Sequence, residues 1–256
     1  MSGLSFVTLL AYDYRFAASC IASYYDIADE IILGVDADRL SWSGNKFELD
    51  LAQIRAELAA IDPAKKIKIV EDDFHSQASP TENDTHERSI LSWECREENW
   101  VVQIDADEIL LNAREFRDWM LARERAGADQ EAPAGCVMAT WTTVFKIFGN
   151  KALVIDPAFR ETPPVATRLR GQYVIARHTD EAQELSPLEL LHYSFGRTPE
   201  EVLQKLNNWS HSRDFDTDAF FQMWQSVTLA NYREYRNIHP LNGTNWPGLV
   251  EVDVRG

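Results

Sequence analysis

The sequence predicts an α/β fold, with a Rossmann-like, mostly parallel sheet flanked by helices and a smaller mixed half after it. Two observations predict it: apolar runs alternate with amphipathic segments over the first hundred residues, and the connections between them are short. At 256 residues the chain has room for one large domain or two small ones. We expect a single domain with two unlike halves, 1–112 and 113–256.

The first half is predicted to hold four strands separated by three helices. Strands buried on both faces of a parallel sheet are near-continuous apolar runs, whereas amphipathic helices repeat apolar residues every three or four positions. The predicted strands are LSFVTLLAY (4–12), DEIILGVD (29–36), KKIKIVEDDF (65–74) and WVVQIDADEIL (100–110). The predicted helices are RFAASCIASYYDIA (15–28), FELDLAQIRAELAAI (47–61) and HERSILSWECREEN (86–99).

The second half begins with a charged amphipathic helix over 114–127, followed by a loop in GADQEAPAG (127–135). CVMATWTTVFKIF (136–148) has the β-branched and aromatic content of a strand or strand pair. The stretch 149–170 contains three prolines and is predicted to be rich in turns.

The last part of the chain is predicted to contain one strand and two helices. LLHYSFG belongs to a strand candidate over 188–196, and a helix is expected over 199–212. Thr198 is predicted as its N-cap, because Glu201 three positions later completes a capping box. A final helix is expected over 218–235, followed by an irregular tail.

The composition excludes several classes of protein. Forty-one acidic and 25 basic residues give a net charge of −16, which argues against binding nucleic acid or an anionic membrane surface. The longest apolar runs are far shorter than the ~20 residues of a membrane span, so no transmembrane segment is expected. The N-terminus lacks the basic region of a signal peptide. Together with three widely spaced cysteines, these features predict a cytoplasmic protein.

Three carboxylates cluster at the end of the fourth predicted strand, at Asp105, Asp107 and Glu108. Such charges repel one another and are costly to bury unless a cation or water neutralises them. Residues i and i+2 of a strand share a face, and two carboxylates with room left for water and phosphate oxygens suit Mg2+ or Mn2+. A solvated turn is the alternative. Ligands of parallel sheets bind beyond the carboxyl ends of the strands, which favours a metal site here.

The order of three segments resembles the nucleotide-binding half of GT-A glycosyltransferases, especially the family 2-like group. The segments are FVTLLAYDYRF, CIASYYDIADEIILGVD and ERSILSWECREENWVVQIDADEIL, within residues 4–112. In the second half, LLHYSFGRTPEEVLQKLNNWSH is similar to a His-Tyr-Ser, Lys, Ser-His segment of some members. The resemblance implies a GT-A fold with a DxD motif, a UDP- or GDP-sugar donor, Mn2+ or Mg2+, and a glycan or lipid-linked acceptor.

The resemblance also implies roles for residues of the nucleotide half. Asp105 and Asp107 match the metal and pyrophosphate motif, and Asp36 matches the acid that binds uracil or ribose. Nucleotide-binding roles are likewise implied for Tyr12, Asp13 and Arg88. The chain has Asp13-Tyr14 where the family has Asn-Glu, and Ser89 instead of Asn after Arg88. Each role has a structural alternative: a turn cap for Asp36, a weak surface ion pair for Arg88, and simple packing for Tyr12.

His192 completes the implied metal set with Asp105 and Asp107, because several metal-dependent GT-A enzymes bring a His from the C-terminal half. Neutral imidazole is an acceptable ligand for Mn2+, and a satisfied core histidine is the alternative. Lys205 and Arg197 lie nearby in the sequence and could offset the charge of a diphosphate leaving group. As residues of a predicted helix surface, they could equally be only solvated.

The catalytic residue is left unassigned by the sequence. Family 2-like enzymes usually invert the anomeric carbon, which requires a general base for the acceptor hydroxyl. Four carboxylates of the second half are candidates, each of which could equally be a surface acid: Asp156, Glu161, Asp180 and Glu181. Trp141 and Trp246 are among the aromatic residues that could form a sugar-stacking platform or belong to the core.

We therefore predict a metal-dependent, inverting glycosyltransferase, hexosyl- or related, in glycan or polysaccharide synthesis. A sugar-phosphate nucleotidyltransferase and a non-catalytic sugar-binding module on the same fold remain alternatives. Nucleotidyltransferases usually have a Gly-rich, basic loop after the first strand, and AYDYRFAAS contains no Gly. A binding module would tolerate a broken acidic motif, whereas the DxD sequence here is intact. In haloacid-type phosphatases the DxD follows the first strand, whereas here it follows the fourth, which argues against that class.

Overall fold

The computed structural model describes residues 2–127, 135–157 and 161–254. Four parallel strands form one side of its sheet in the order β3-β2-β1-β4. They are β1 (Leu4–Leu9), β2 (Glu30–Asp36), β3 (Ile67–Asp72) and β4 (Trp100–Gln103). Every residue of β1 and β4 is buried, as expected of strands covered on both faces. The predicted α/β class is confirmed.

The helices that connect these strands begin and end where the sequence offers caps. They are α1 (Ala17–Tyr24), α2 (Leu51–Ile61) and α3 (Pro80–Trp93). The Asp50 side chain accepts hydrogen bonds from the amides of Ala52 and Gln53, and Ser79 caps α3 ahead of a Pro in its first turn. Because of that cap, α3 starts six residues earlier than the sequence predicts.

The second half extends the sheet with mixed pairing. Its strands are β5 (Glu108–Leu110), β6 (Cys136–Phe148), β7 (Lys151–Ile155), β8 (Pro164–Thr167), β9 (Gln183–His192) and β10 (Leu249–Asp253). β8 lies antiparallel between β4 and β6, and β9 runs parallel to β6 and antiparallel to β5. The halves 1–112 and 113–256 therefore share one hydrogen-bonded sheet.

Three helices complete the second half: α4 (Ala113–Gly127), α5 (Pro199–Asn208) and α6 (Thr217–Ser226). The capping box of Thr198 and Glu201 is present at the start of α5, as predicted. α6 ends nine residues before the predicted end. Lys146 of β6 donates through Nζ to the carbonyls of Trp224, Gln225 and Val227. This side chain therefore provides hydrogen bonds for carbonyl groups at the C-terminal end of α6.

Three strands lie where the sequence predicts turns or an irregular tail. β7 and β8 fall within 149–170, and β10 pairs with β7 near the C-terminus. Each is four or five residues long, so periodicity over a short window does not reveal it. Most of the loop predicted over 127–135 lies outside the described residues.

The fourth predicted strand is broken in the middle. β4 ends at Gln103 and β5 begins at Glu108, so Asp105 and Asp107 lie in a turn between two strands. The Asp105 amide donates to Glu108 Oε2 at 2.8 Å, and the Glu108 amide donates to the Asp105 carbonyl at 3.0 Å. These bonds close the turn. The side chains of the two aspartates therefore do not follow the alternating directions of a strand.

Two main hydrophobic clusters stabilise the fold. The larger one packs α1, α2 and α4 against the parallel strands, with Phe6 stacked on Tyr24 at 4.2 Å. The smaller one joins α5 and α6 to β6, around Phe145, Phe195 and Trp224. No helix in the described ranges is both long and apolar enough to cross a membrane.

Candidate functional site

A cavity of about 420 Å³ opens at the carboxyl ends of β1 and β4. The first half contributes Tyr12 and Asp13 after β1 and the turn 105–107 after β4. The second half closes it with residues from β9, α5 and the C-terminal segment, namely His192, Lys205, His239 and Trp246. The cavity is therefore built jointly by the two halves, at the edge where parallel sheets bind ligands.

Asp107 is the most highly connected carboxylate of this cavity. Its Oδ2 accepts a hydrogen bond from Lys205 Nζ at 2.8 Å and another from Arg197 Nη2. His192 Nε2 lies 3.7 Å from the same oxygen. The side chains of Asp107, Lys205 and Arg197 are buried, and that of His192 is 13% exposed. Two cations and one imidazole thus surround a single carboxylate oxygen.

Backbone pairing places these groups together. In the β5–β9 pair Glu108 lies opposite His192, and the Tyr193 amide donates to the Asp107 carbonyl at 2.9 Å. The chain then turns, and Arg197 Nε donates to the carbonyls of Tyr193 and Ser194. α5 starts at its capping box directly afterwards and carries Lys205 on its buried face.

Asp105 has a different set of partners. Its Oδ1 accepts from Arg88 Nη2 at 2.9 Å, and Arg88 is fixed by Asp84 at 2.7 Å and Gln103 at 3.2 Å. About a third of the Asp105 side chain, 31%, is exposed to the cavity. Arg88 lies on the buried face of α3 and lines the same cavity, so its pairing is more than a surface contact.

Glu108, the third carboxylate of the cluster, has structural contacts. Arg177 donates to both of its oxygens, at 3.0 and 2.6 Å, and Trp141 Nε1 donates to Oε1 at 2.8 Å. Glu108 is fully buried, and this fork-shaped ion pair offsets the cost of that burial. Sequence reasoning missed Arg177, because it lies in the segment GQYVIARHTD, which has neither helical nor strand periodicity.

The electrostatics of the site keep both aspartates ionised. Burial alone would raise the pKa of Asp107, but Lys205 and Arg197 hold it well below its usual value. Burial likewise opposes ionisation of Asp105, and Arg88 and Arg177 lower its pKa on balance. Burial lowers the pKa of His192 to about 4, so its imidazole is neutral at pH 7. Neutral imidazole has a lone pair that can bind a metal.

Two of the residues present, Asp107 and His192, lie close enough to share a divalent cation. Two donors bound to one ion at about 2.1 Å can lie at most about 4.2 Å apart, and His192 Nε2 and Asp107 Oδ2 meet that limit at 3.7 Å. With Nε2 on a cation the ring proton would lie on Nδ1, which is buried and has no acceptor among the described residues, so the contact that usually orients a metal-binding histidine would have to come from water. The described residues contain no group of three His, Cys, Asp or Glu side chains arranged to hold a metal. A cation here would need other ligands as well, such as phosphate and water.

The remaining predicted nucleotide residues divide into two groups. Tyr12 and Asp13 line the cavity, where Tyr12 packs edge-on against Trp42 at 6.3 Å and Asp13 accepts from Arg197 at 3.0 Å. Asp36 does not line it. Its oxygens accept the amides of Asp38, Leu40 and Phe74 at 2.9 to 3.0 Å, which is a turn-capping arrangement. A nucleotide-binding role for Asp36 remains a prediction that these contacts do not support.

Of the four candidate bases, Glu161 is the one that lines the cavity. Asp156 and Asp180 are exposed, and Glu181 accepts from Thr167 at 3.2 Å, with none of the three on the cavity wall. Linear sequence could not distinguish these four carboxylates. Glu161 reaches the cavity because its segment lies beside β6, where the Trp141 amide donates to the Glu161 carbonyl at 3.1 Å.

Glu161 is held in place by Thr143 and His239. Thr143 Oγ1 donates to Glu161 Oε2 at 3.1 Å, and Thr143 pairs with His192 in the β6–β9 register. His239 Nε2 lies 3.4 Å from Glu161 Oε1. His239 Nδ1 accepts from the amides of Leu241 and Asn242 at 3.1 and 2.9 Å, which places its proton on Nε2. Burial raises the pKa of Glu161 and lowers that of His239 to about 4.

No protein-family model and no curated protein matches the chain. Among solved structures it is similar to glucosyl-3-phosphoglycerate synthase from Mycobacterium tuberculosis in complex with Mn2+, uridine diphosphate and glucosyl-3-phosphoglycerate. The identity is 16% and the TM-score 0.33, over 55% of this chain and 44% of that one. The chain is also similar to a mycobacterial protein, with 16% identity and a TM-score of 0.33, over 56% of this chain and 42% of that one.

Mannose-1-phosphate geranyltransferase from Thermus thermophilus is a third similar structure, with 7% identity and a TM-score of 0.31, over 90% of this chain and 66% of that one. The chain spans less than half the length of either mycobacterial protein. Similarity at this level supports no inference about activity, which has to come from the site itself.

Proposed function

We propose that this protein is a metal-dependent glycosyltransferase that moves a sugar from a nucleotide-diphospho-sugar to an acceptor hydroxyl. The arrangement around Asp107 carries the proposal: an ionised carboxylate, a neutral imidazole 3.7 Å away and two buried cations at the carboxyl end of a parallel sheet. A diphosphate needs cations, and the overall charge of −16 makes a local group of them notable.

The donor half of the site is proposed to bind a UDP- or GDP-sugar. Tyr12 and Trp42 would provide apolar ring surface for a base, and Arg88 and Lys205, which line the same cavity, would meet phosphate oxygens. Asp107 and His192 would hold Mn2+ or Mg2+, with Asp105 beside them. When bound, the cation supplies positive charge to the departing diphosphate.

In the acceptor half of the site, the acceptor is proposed to bind between Glu161 and the sugar donor. Glu161 would take the proton of the acceptor hydroxyl while the oxygen forms its bond to the anomeric carbon. The bond from that carbon to the phosphate oxygen breaks, and its electron pair leaves with the nucleoside diphosphate. Attack from the opposite side inverts the anomeric carbon. A glycan or a lipid-linked sugar is the acceptor class we propose.

Calorimetry with UDP and with GDP, in Mn2+ or in EDTA, tests the donor half. We expect one of the two nucleotides to bind in Mn2+ and to bind at least about tenfold more weakly in EDTA. Equal affinity in both buffers would contradict metal dependence, and binding of neither nucleotide would contradict the proposed donor. Release of UDP or GDP from a panel of nucleotide sugars then separates an enzyme from a binding module.

A further inference from the structure

Lys205 and Arg197 both bind Asp107, but they are fixed to very different degrees. Arg197 Nε donates to the carbonyls of Tyr193 and Ser194, and its Nη2 also bonds Asp13 at 3.0 Å. In the part of the chain that the structure describes, the single hydrogen bond of Lys205 Nζ is the one to Asp107, at 2.8 Å. Lysine also has a flexible four-carbon stem, whereas the guanidinium of arginine is a rigid fork. Lys205 is therefore the cation that can leave.

The oxygen that Lys205 occupies is also the one nearest to His192. Nε2 of His192 lies 3.7 Å from Asp107 Oδ2, and Lys205 Nζ is bonded to that same atom. An ammonium and a divalent cation on one carboxylate oxygen repel each other strongly in a buried site. Arg197 already remains on this oxygen, so keeping Lys205 there as well would weaken the binding of a divalent cation.

From this geometry we infer that Lys205 is a resident cation at Asp107 in the ligand-free protein and moves to the diphosphate when a metal–nucleotide complex binds. The inference rests on the proposed function, since it assumes that Asp107 and His192 take the metal. Lys205 then has two opposite effects: it competes with the metal alone and assists the metal with its nucleotide. It also makes ligand binding ordered, because the site accepts the cation well only when a phosphate receives the lysine.

Removing the charge at position 205 separates the two effects. In Lys205→Met we expect Mn2+ alone, measured by the loss of its free EPR signal, to bind at least about tenfold more tightly than in the wild type. Calorimetry with UDP and GDP in saturating Mn2+ should show nucleotide affinity at least about tenfold weaker. Opposite signs are the signature, because damage to the fold would weaken both.

Two controls keep the test specific. Lys205→Arg keeps the positive charge, so Mn2+ alone should bind as weakly as in the wild type. Lys146→Met removes a partly buried lysine whose hydrogen bonds go to the end of α6 and not to Asp107, and it should lower the melting temperature without changing Mn2+ affinity. If Lys205→Met does not fold, Lys205→Gln removes the charge and retains a donor for Asp107.

The outcomes divide cleanly. Mn2+ alone binding no more tightly to the neutral variants than to the wild type would overturn the inference. So would equal nucleotide affinity in the wild type and Lys205→Met. If wild-type protein binds neither nucleotide in a metal-dependent manner, the proposed function fails, and this inference with it. Metal-dependent binding in the wild type with both affinities shifted in one direction by Lys205→Met contradicts only the exchange.

Discussion

His192, the last residue of β9, and Asp107, the residue just before β5, come from different halves of the chain, and Nε2 of the first lies 3.7 Å from Oδ2 of the second. β5 follows the acidic turn directly, and β9 arrives from much later in the sequence. The antiparallel pairing of Glu108 with His192 fixes their separation. A short strand thus joins the nucleotide side of the proposed site to its acceptor side.

Replacing Asp107 by Ala should destabilise the protein as well as abolish metal-dependent nucleotide binding. The change leaves Lys205 and Arg197 buried without their shared carboxylate, and breaking a buried ion pair costs roughly 3–5 kcal/mol. Urea denaturation measures the loss. The double variant Asp107→Ala, Lys205→Met should recover part of it, because one of the two stranded charges is gone.

Strict additivity of these two substitutions would contradict the ion-pair account. A double-mutant cycle needs the two single variants and the double variant measured in one buffer. The interaction free energy should favour the pair by at least about 0.5 kcal/mol, above the usual deviation from additivity.

His192→Ala should weaken Mn2+-dependent nucleotide binding by at least about tenfold, with a smaller effect on stability. The imidazole is the neutral donor nearest to Asp107, and changes even to residues that support metal ligands cost about 10–100-fold in affinity. Calorimetry in Mn2+ gives the affinity, and thermal unfolding gives the stability. His86→Ala, on α3 and away from the cavity wall, is the matched control. A variant that melts early yet binds normally would identify His192 as a core residue.

Glu161→Gln should lower turnover by about 10²–10⁴-fold while leaving nucleotide affinity unchanged. General-base catalysis contributes a factor of this size, and the amide cannot accept the proton. Release of the nucleoside diphosphate from a panel of UDP- and GDP-sugars measures turnover, with calorimetry as the binding check. Asp180→Asn, which removes an exposed candidate carboxylate, should behave as the wild type.

The pH dependence of turnover adds a second readout for Glu161. Burial raises its pKa, so the base loses its charge at a higher pH than an ordinary Glu as the solution is acidified. The acid limb of the rate profile should therefore lie above the usual range for glutamate and be absent from the residual rate of Glu161→Gln. An identical limb in both proteins would assign the limb to another group.

Glu87→Gln should stabilise the protein at high pH and have little effect at low pH. Glu87 is 4% exposed, accepts from Trp42 Nε1 at 2.8 Å, and burial raises its pKa from 4.5 to about 8. The folded state therefore binds more protons than the unfolded state between these values. The contribution of Glu87 to stability should therefore fall as pH rises from about 4.5 to about 8, by up to about 5 kcal/mol at 1.36 kcal/mol per pKa unit, and this fall is read as the difference between the wild type and Glu87→Gln.

Urea denaturation at several pH values between about 4.5 and 9 checks this sign. The glutamine keeps an acceptor for Trp42 and has no proton to lose, so its unfolding free energy should lack this slope. The difference between the two proteins should grow with pH. A wild type whose stability rises over this interval relative to Glu87→Gln would show that Glu87 is ionised and paired.

The sequence by itself determined the parallel half of the fold and the position of the acidic cluster that follows its fourth apolar run. β1, β2 and β4 are near-continuous apolar runs, a composition that predicts strands buried on both faces. α5 begins at a capping box that four consecutive residues predict. Such features depend on neighbours within a few positions. Local patterns therefore predict them directly.

Only the tertiary structure decided that the two aspartates of this cluster lie in a turn, which cations neutralise the cluster, and which carboxylate of the second half lines the same cavity. Arg177, Arg197 and Lys205 reach Glu108 and Asp107 across 69 to 98 positions, and His239 reaches Glu161 across a further long separation. No local pattern encodes such contacts, because they arise from the pairing of short strands such as β5 and β8 with distant partners. The charges of this site are balanced by long-range packing, and that balance exists only once the chain has folded.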